Sequence, residues 1–403
     1  MENILHILVK LKLRMTEFKI STIATPAKID LLYRKIEEQG SVETTLVLPS
    51  YLQKYRFGLL SDILKLVINL NSYSRISIVK INLEEDELDK FFDQEYSYPV
   101  LALLWNIASF VDKNDKNIKQ VLRQKQNEFY LNMNSFSNIK GNKYLLVNTD
   151  HLPKEKGLIK LLENTNGFND DEEKITNKIS KVLSDYVLTF NKKNLQEIQP
   201  IINDIGAIIY ELVKNTYEWG RTDTNNVTVS PSIRGAYLRY HIGKNENVID
   251  EFKNTPLEEF FRNPILLEKS ANKSNQIYYL EILVFDSGIG FVDKFGKDNK
   301  HSDIDIIKKC LIKNQTSSTT NMKTKKGKGL DRILNILDGK GFLKITTDKY
   351  CLYRNLLKDE YKPIDKNNLD GLILNHWDSQ NQGTTDSRKV QGSYISILYP
   401  FNN

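Results

Sequence analysis

The stretch "IQPIINDIGAIIYELVKNTYEWG", residues 198–220, governs how the rest of the chain is read. Ile201, Ile202, Ile205, Ile208, Ile209, Leu212 and Val213 recur at three- and four-residue intervals, which predicts one long amphipathic helix. Glu211 and Asn215 stand four positions apart, so they share a face of that helix. A bland reading exists for both. Glu211 would be an exposed carboxylate beside Lys214, and Asn215 a residue near a helix end. The chemical reading is sharper. The Asn215 carbonyl oxygen suits a hard cation such as Mg²⁺ held mainly by phosphates and water. Glu211, one turn earlier, can orient or deprotonate a water.

Two glycine turns lie downstream. In "IYYLEILVFDSGIGF" (277–291) an apolar strand delivers Asp286 to its end, where Gly288 and Gly290 permit a sharp turn. A carboxylate buried there needs donors, and the exocyclic amine of a base is one. The alternative is an ordinary Asp-Ser-Gly turn. In "KKGKGLDRILNIL" (325–337), Gly327 and Gly329 precede a helix that starts near Leu330. Exposed N–H groups at a helix start suit phosphate, and Lys326 and Lys328 add positive charge. The alternative is a flexible Lys/Gly linker. Between the turns, "NQTSSTTNMKTKK" (314–326) carries no apolar periodicity. A loop of that length is expected to be functional or mobile.

In this order, "ELVKN" (211–215), "DSGIG" (286–290) and "GKGL" (327–330) resemble the ExxxN, DxGxG and GxGL motifs of the Bergerat-type (GHKL) ATPases. That family includes gyrase, the large cytosolic ATP-dependent chaperones, histidine kinases and mismatch-repair ATPases. The closing "GSYISILYP" (392–400) is similar to the family's last motif, with Ser393 in place of Thr. The resemblance covers about residues 175–400. It implies that Asp286, Gly288 and Gly290 hold the adenine of ATP, with Ser393 reaching it through water. It implies that Lys326, Gly327, Lys328, Gly329 and Leu330 hold the phosphates. Asn215 would be the Mg²⁺ ligand and Glu211 the catalytic residue, and residues 291–326 would form a lid over ATP. There are departures. Trp219 and Gly220 stand where many relatives carry His-Gly or a basic residue, and Arg388 and Lys389 have no assigned role.

The N-terminal part reads differently. "TTLVLPS" (44–50), "SRISIVKINL" (74–83) and "KYLLVNT" (143–149) read as strands. "FGLLSDILKLVINLN" (57–71) and "PVLALLWNIASFV" (99–111) read as helices. Alternation of the two patterns suggests an α/β unit with some parallel strands. No phosphate loop or nucleophile motif appears in it. "NVTVSPSIRGAYLRYHIG" (226–243) reads as strands joined by a turn. The expected class is α+β. An α/β domain spans 1–160, a helical connector 161–200, and a Bergerat-type ATP-binding sandwich 201–403, with its lid at 291–326.

With 403 residues, 40% apolar and 27% charged, the chain fits a globular protein of about two domains. Two cysteines, Cys310 and Cys351, cannot build a disulfide framework and fit a reducing cytosol, so the expected location is cytoplasmic. No apolar run reaches the roughly 20 residues that span a bilayer. "MENILHILVKLKLRM" (1–15) interleaves charges with apolar residues, unlike a signal peptide. It reads as an element packed on the protein, or as a contact to a second copy or another partner. A net charge of +6 and "KTKKGK" (323–328) raise nucleic acid as a partner without favouring it.

None of the five histidines, His6, His151, His241, His301 and His376, lies in a phosphoacceptor-type helical hairpin, which disfavours an autophosphorylating sensor kinase. Because the chain ends at the last ATPase strand, a topoisomerase or complete mismatch-repair protein is not expected. The reading is a Mg²⁺-dependent ATPase whose lid closure switches a protein interaction. Two alternatives stay open: a serine kinase similar to the anti-sigma-factor kinases, and a nucleotide-gated binding module with little turnover.

Overall fold

A computed structural model describes residues 16–39, 43–83, 87–137, 141–295, 302–311, 329–362, 369–377 and 389–402. The chain divides into two compact units, 1–131 and 132–403.

The first unit is built on strands β1 (Thr16–Lys19), β2 (Thr44–Pro49), β3 (Ile76–Asn82) and β4 (Ser109–Val111). They pair in that order, all parallel. Parallel neighbours need crossovers, and helices α1 (Pro26–Gln39), α2 (Leu59–Tyr73), α3 (Leu88–Phe92) and α4 (Ser97–Leu104) lie between the strands. The expected helix at 99–111 ends early, at Leu104, and its last residues form β4. The Lys119 ammonium explains the break: it donates to the carbonyls of Trp105 (2.7 Å) and Ala108 (3.2 Å). Those carbonyls are thereby satisfied without further helix. Lys119 opens α5 (Lys119–Ser135), in which the unit boundary falls.

The second unit holds a seven-stranded antiparallel sheet, in the order β12–β11–β10–β13–β9–β8–β5. Its strands are β5 (Lys143–Thr149), β8 (Ile233–Lys244), β9 (Gln276–Asp286), β10 (Phe342–Asp348), β11 (Tyr350–Asn355), β12 (Asn375–His376) and β13 (Val390–Pro400). The strand 143–149, expected in the N-terminal domain, pairs along its whole length with β8. The boundary therefore falls before it rather than near 160. The expected connector at 161–200 also belongs to this unit. It contains a small hairpin, β6 (Glu163–Asn164) and β7 (Gly167–Phe168), then α6 (Glu172–Val182), which packs on α7 (Ile202–Trp219).

A buried ion cluster ties these pieces together. Arg234 on β8 is 1% exposed. Its guanidinium donates to Asp150 at 3.0 and 2.7 Å, just past β5, and to Glu163 Oε2 on β6 at 2.7 Å. Burial alone would raise the Asp150 pKa, but the charge and hydrogen bonds of Arg234 hold it below the usual value.

The region 226–243 holds one long strand rather than two, because residues 226–232 precede β8. Pro231 has no N–H to give a ladder and marks that limit. Three short helices, α8 (Asn245–Glu251), α9 (Pro256–Phe261) and α10 (Pro264–Ser270), connect β8 to β9. The segment expected as a lid is partly helical, with α11 (Phe291–Phe295) and α12 (Asp303–Leu311). Buried Ile306 and Ile307 anchor α12. Residues 296–301 and 312–328 lie outside the described ones, as do 1–15. Helix α13 (Gly329–Leu337) starts where expected and packs on α7. Among the described residues, no helix is long and apolar enough to cross a membrane.

Candidate functional site

Strand register sets the first part of the site. Asp286, the last residue of β9, pairs with Arg234 on one side and Ser393 on the other. Its carboxyl accepts the Gly288 N–H at 2.8 Å, and the Ser393 backbone N–H also favours its ionised form. It is nevertheless 6% exposed, and burial pushes its pKa up to about 7, against the lowering effect of those donors and of Arg234.

The turn after Asp286 meets the end of α7 through bare backbone. A Cβ on Gly288 would lie 2.7 Å from the Gly220 carbonyl oxygen, and one on Gly220 would lie 2.8 Å from the Asp286 side chain. Gly290 has φ +89°, and a Cβ there would lie 2.7 Å from the Asp348 carboxylate. Only glycine fits this conformation and this approach without strain.

Asn215, Asp286, Gly290 and Ser393 line one cavity, together with Trp219 of α7 and the apolar Val284 and Ile395. Leu212, Thr216 and Gly220 also line it, and Phe291 and Lys294 of α11 with Cys310 of α12 form its cover. The cavity encloses ≈ 30 Å³, the scale of a single water. The Lys294 ammonium fastens α11 to the loop after α7, donating to Thr222 Oγ1 (2.9 Å), the Thr222 carbonyl (3.2 Å) and the Asp223 carbonyl (3.3 Å). Trp219 packs edge-on against Phe295, with ring centres 5.0 Å apart. Burial raises the Cys310 thiol well above its ordinary value.

Sequence reasoning missed the supports of this cavity. Thr347 Oγ1 accepts the Phe291 N–H at 2.9 Å and lies 3.3 Å from the Ser393 hydroxyl. Asp348 accepts the Val292 N–H at 2.9 Å, holding the start of α11. Burial raises the Asp348 pKa. The signal was present in "FLKITTD" (342–348), an apolar strand that ends on a carboxylate, as "ILVFD" (282–286) does.

Glu211 lies elsewhere. It lines a groove beside the cavity with Asp170, Lys214 and Arg332, while Asn215 lines the cavity itself. One turn of α7 thus separates the two. Burial pushes the Glu211 pKa up to about 7, partly offset by Lys214 and Arg332. Lys214 pairs with Asp170, which also accepts the Tyr210 hydroxyl at 2.7 Å. Of the phosphate-turn residues, Gly329 and Leu330 form the first turn of α13. Lys326, Gly327 and Lys328 lie outside the described residues, as does Arg388. Lys389 pairs with Asp293. Among the described residues, no group of three or more His, Cys, Asp or Glu could hold a metal ion.

No protein-family model, curated protein or solved structure matches the chain.

Proposed function

We propose that the second unit binds and hydrolyses ATP with Mg²⁺, and that movement of the cavity's cover switches an interaction with another protein. One observation carries this reading: Asn215, Asp286, Gly290 and Ser393, from three separate stretches of sequence, line a single cavity. Its residues fit the group. A buried carboxyl between apolar walls suits a flat base that presents an amine, and bare glycines leave the backbone open to close approach. The donor set fits a cation held mainly by phosphates, because Asn215 supplies a single neutral oxygen. Bound Mg²⁺ would supply neutralisation of phosphate charge.

The chain's own residues divide the work. Asp286, once ionised, accepts a hydrogen bond from the base amine. Val284, Ile395 and Trp219 exclude water from that contact. Glu211, in its ionised form, takes a proton from the attacking water. Phe291, Lys294 and Cys310 must give way for a purine to enter so small a cavity, and this ties binding to the position of α11 and α12.

Titration calorimetry on wild type and Asp286→Ala tests the site. Loss of a buried hydrogen bond to a charged group should lower affinity by about tenfold to a hundredfold. Wild-type affinity in a folded Asp286→Ala protein would refute the assignment. ATP labelled at the γ-phosphate then distinguishes the reactions: free labelled phosphate means hydrolysis, and a labelled protein means a kinase. Neither product, with binding intact, means a gated module with little turnover. That last reading draws support from the place of Glu211, outside the cavity lining.

A further inference from the structure

Helix α6 carries its lysines on one side. Lys174, Lys178 and Lys181 follow one another at intervals of four and three residues, so they share a face. With Lys160 they line an open groove of ≈ 800 Å³, to which Asn134, Ser135 and Phe136 contribute from the end of α5. Among the described residues, none of these lysine ammonium groups has an ion pair. Lys178 instead lies over the Phe136 ring, 4.9 Å from its centre, and Phe136 is 5% exposed. Such a contact holds the ammonium in place without neutralising it. Like charges at this spacing weaken a helix, and Lys174 stands in the first turn, where the helix dipole disfavours a cation. The stability of α6 therefore gives no reason for this lysine face. Asp171 and Glu173 also line the groove, at the start of α6. The Asp171 carboxylate caps the helix, accepting the Lys174 N–H at 3.0 Å. The groove thus carries negative charge at the start of α6 and positive charge along the rest of it.

We propose that this groove binds an extended segment of a partner protein. The segment is rich in Asp and Glu where it passes Lys178 and Lys181, and basic where it passes Asp171 and Glu173. Charge complementarity decides the occupant. A nucleic-acid strand carries a phosphate at every step and would have to run past the two carboxylates. A peptide alternates charged, polar and apolar side chains, so it can match both ends. Leu161 on the groove wall offers an apolar contact, and Asn177 offers an amide to a peptide backbone. The groove shares no residue with the cavity, so the site stands whether or not the cavity binds ATP. It gives the partner interaction proposed above a surface and a chemistry. A merely solvated lysine face would hold no peptide.

The test is fluorescence anisotropy on the full chain. The probe is a labelled peptide of about ten residues, with Glu and Leu alternating over one half and Lys and Ser over the other. Lys178→Glu combined with Lys181→Glu should weaken it at least about tenfold. Lys160→Glu alone, at a turn outside α6, should weaken it about threefold or more, a loss that melting of the helix cannot explain. Lys253 and Lys273 are exposed residues of the connection between β8 and β9, outside the groove. Lys253→Glu combined with Lys273→Glu changes the net charge by the same amount and should leave affinity within about twofold. No binding to wild type at about 1 mM peptide would overturn the proposal, as would equal losses in the two double variants. So would an oligothymidine that binds wild type more tightly than the peptide and is weakened by Lys178→Glu with Lys181→Glu, since the groove would then be a nucleic-acid site.

Discussion

The Asp286 carboxyl accepts the Gly288 N–H, yet burial still lifts its pKa to about 7. A group that binds its proton more tightly in the folded chain stabilises the fold below its unfolded pKa. That contribution is lost as pH rises through the folded value. Here the window runs from the ordinary aspartate value of 3.8 to about 7. Asp286→Asn cannot ionise. Thermal melts from pH 5 to 9 should therefore show wild type losing stability relative to Asp286→Asn as pH rises from 5 to about 7, by about 3 kcal/mol, and running parallel to it above that. Curves parallel over the whole range would mean that the folded Asp286 is already ionised at pH 5, so that burial does not raise its pKa. Glu211 has a raised pKa for the same reason but a different consequence. ATP hydrolysis should fall below about pH 7, where Glu211 becomes protonated. Glu211→Ala should bind ATP nearly as wild type does and hydrolyse it roughly a hundredfold more slowly, since a base contributes mainly in the transition state. Asn215→Ala should weaken Mg-ATP binding itself. Paired binding and phosphate-release measurements decide, and equal binding losses in both variants would contradict the division.

At the scale of elements, local patterns were legible and long-range partners were not. The helix 202–219 and the strands 276–286 and 390–400 follow from apolar spacing in one stretch each. Helix α12 was missed because its two buried isoleucines sit among charged residues, in a segment that reads as polar. The Arg234 cluster had no local signal at all. Its partners Asp150 and Glu163 lie far away in sequence and were read into two other domains. Arg234→Ala would leave two buried carboxylates without their cation, at a cost of about 3–5 kcal/mol. Urea unfolding should show that loss in the second unit. A loss below about 1 kcal/mol, the range of surface pairs, would mean that the cluster is solvated in solution.

At the scale of the whole molecule, the two-part organisation was legible but its boundary was not. A strand reads the same whether its partner is near or far, so "KYLLVNT" gave no sign of joining β8. All the cavity-lining residues lie in the second unit. A fragment of residues 132–403 should therefore bind ATP with the affinity of the full chain. A fragment starting at residue 161, where the sequence reading places the connector, lacks β5 and Asp150. It leaves Arg234 half paired and should be unfolded by circular dichroism. Equal behaviour of the two fragments would mean that β5 is dispensable to the sheet.

The contact between Gly220 and Gly288 has a genetic consequence. A methyl group added at Gly288 meets a carbonyl oxygen, which every residue at position 220 would supply. Revertants of Gly288→Ala selected for function should return to glycine, and none should map to position 220. Gly290→Ala is obstructed by the Asp348 side chain instead. A smaller residue at 348 can relieve that clash, though not the backbone strain, so partial second-site suppressors are expected there. Loss-of-function alleles in two glycines of one turn thus belong to two classes, told apart by whether selection can find a suppressor.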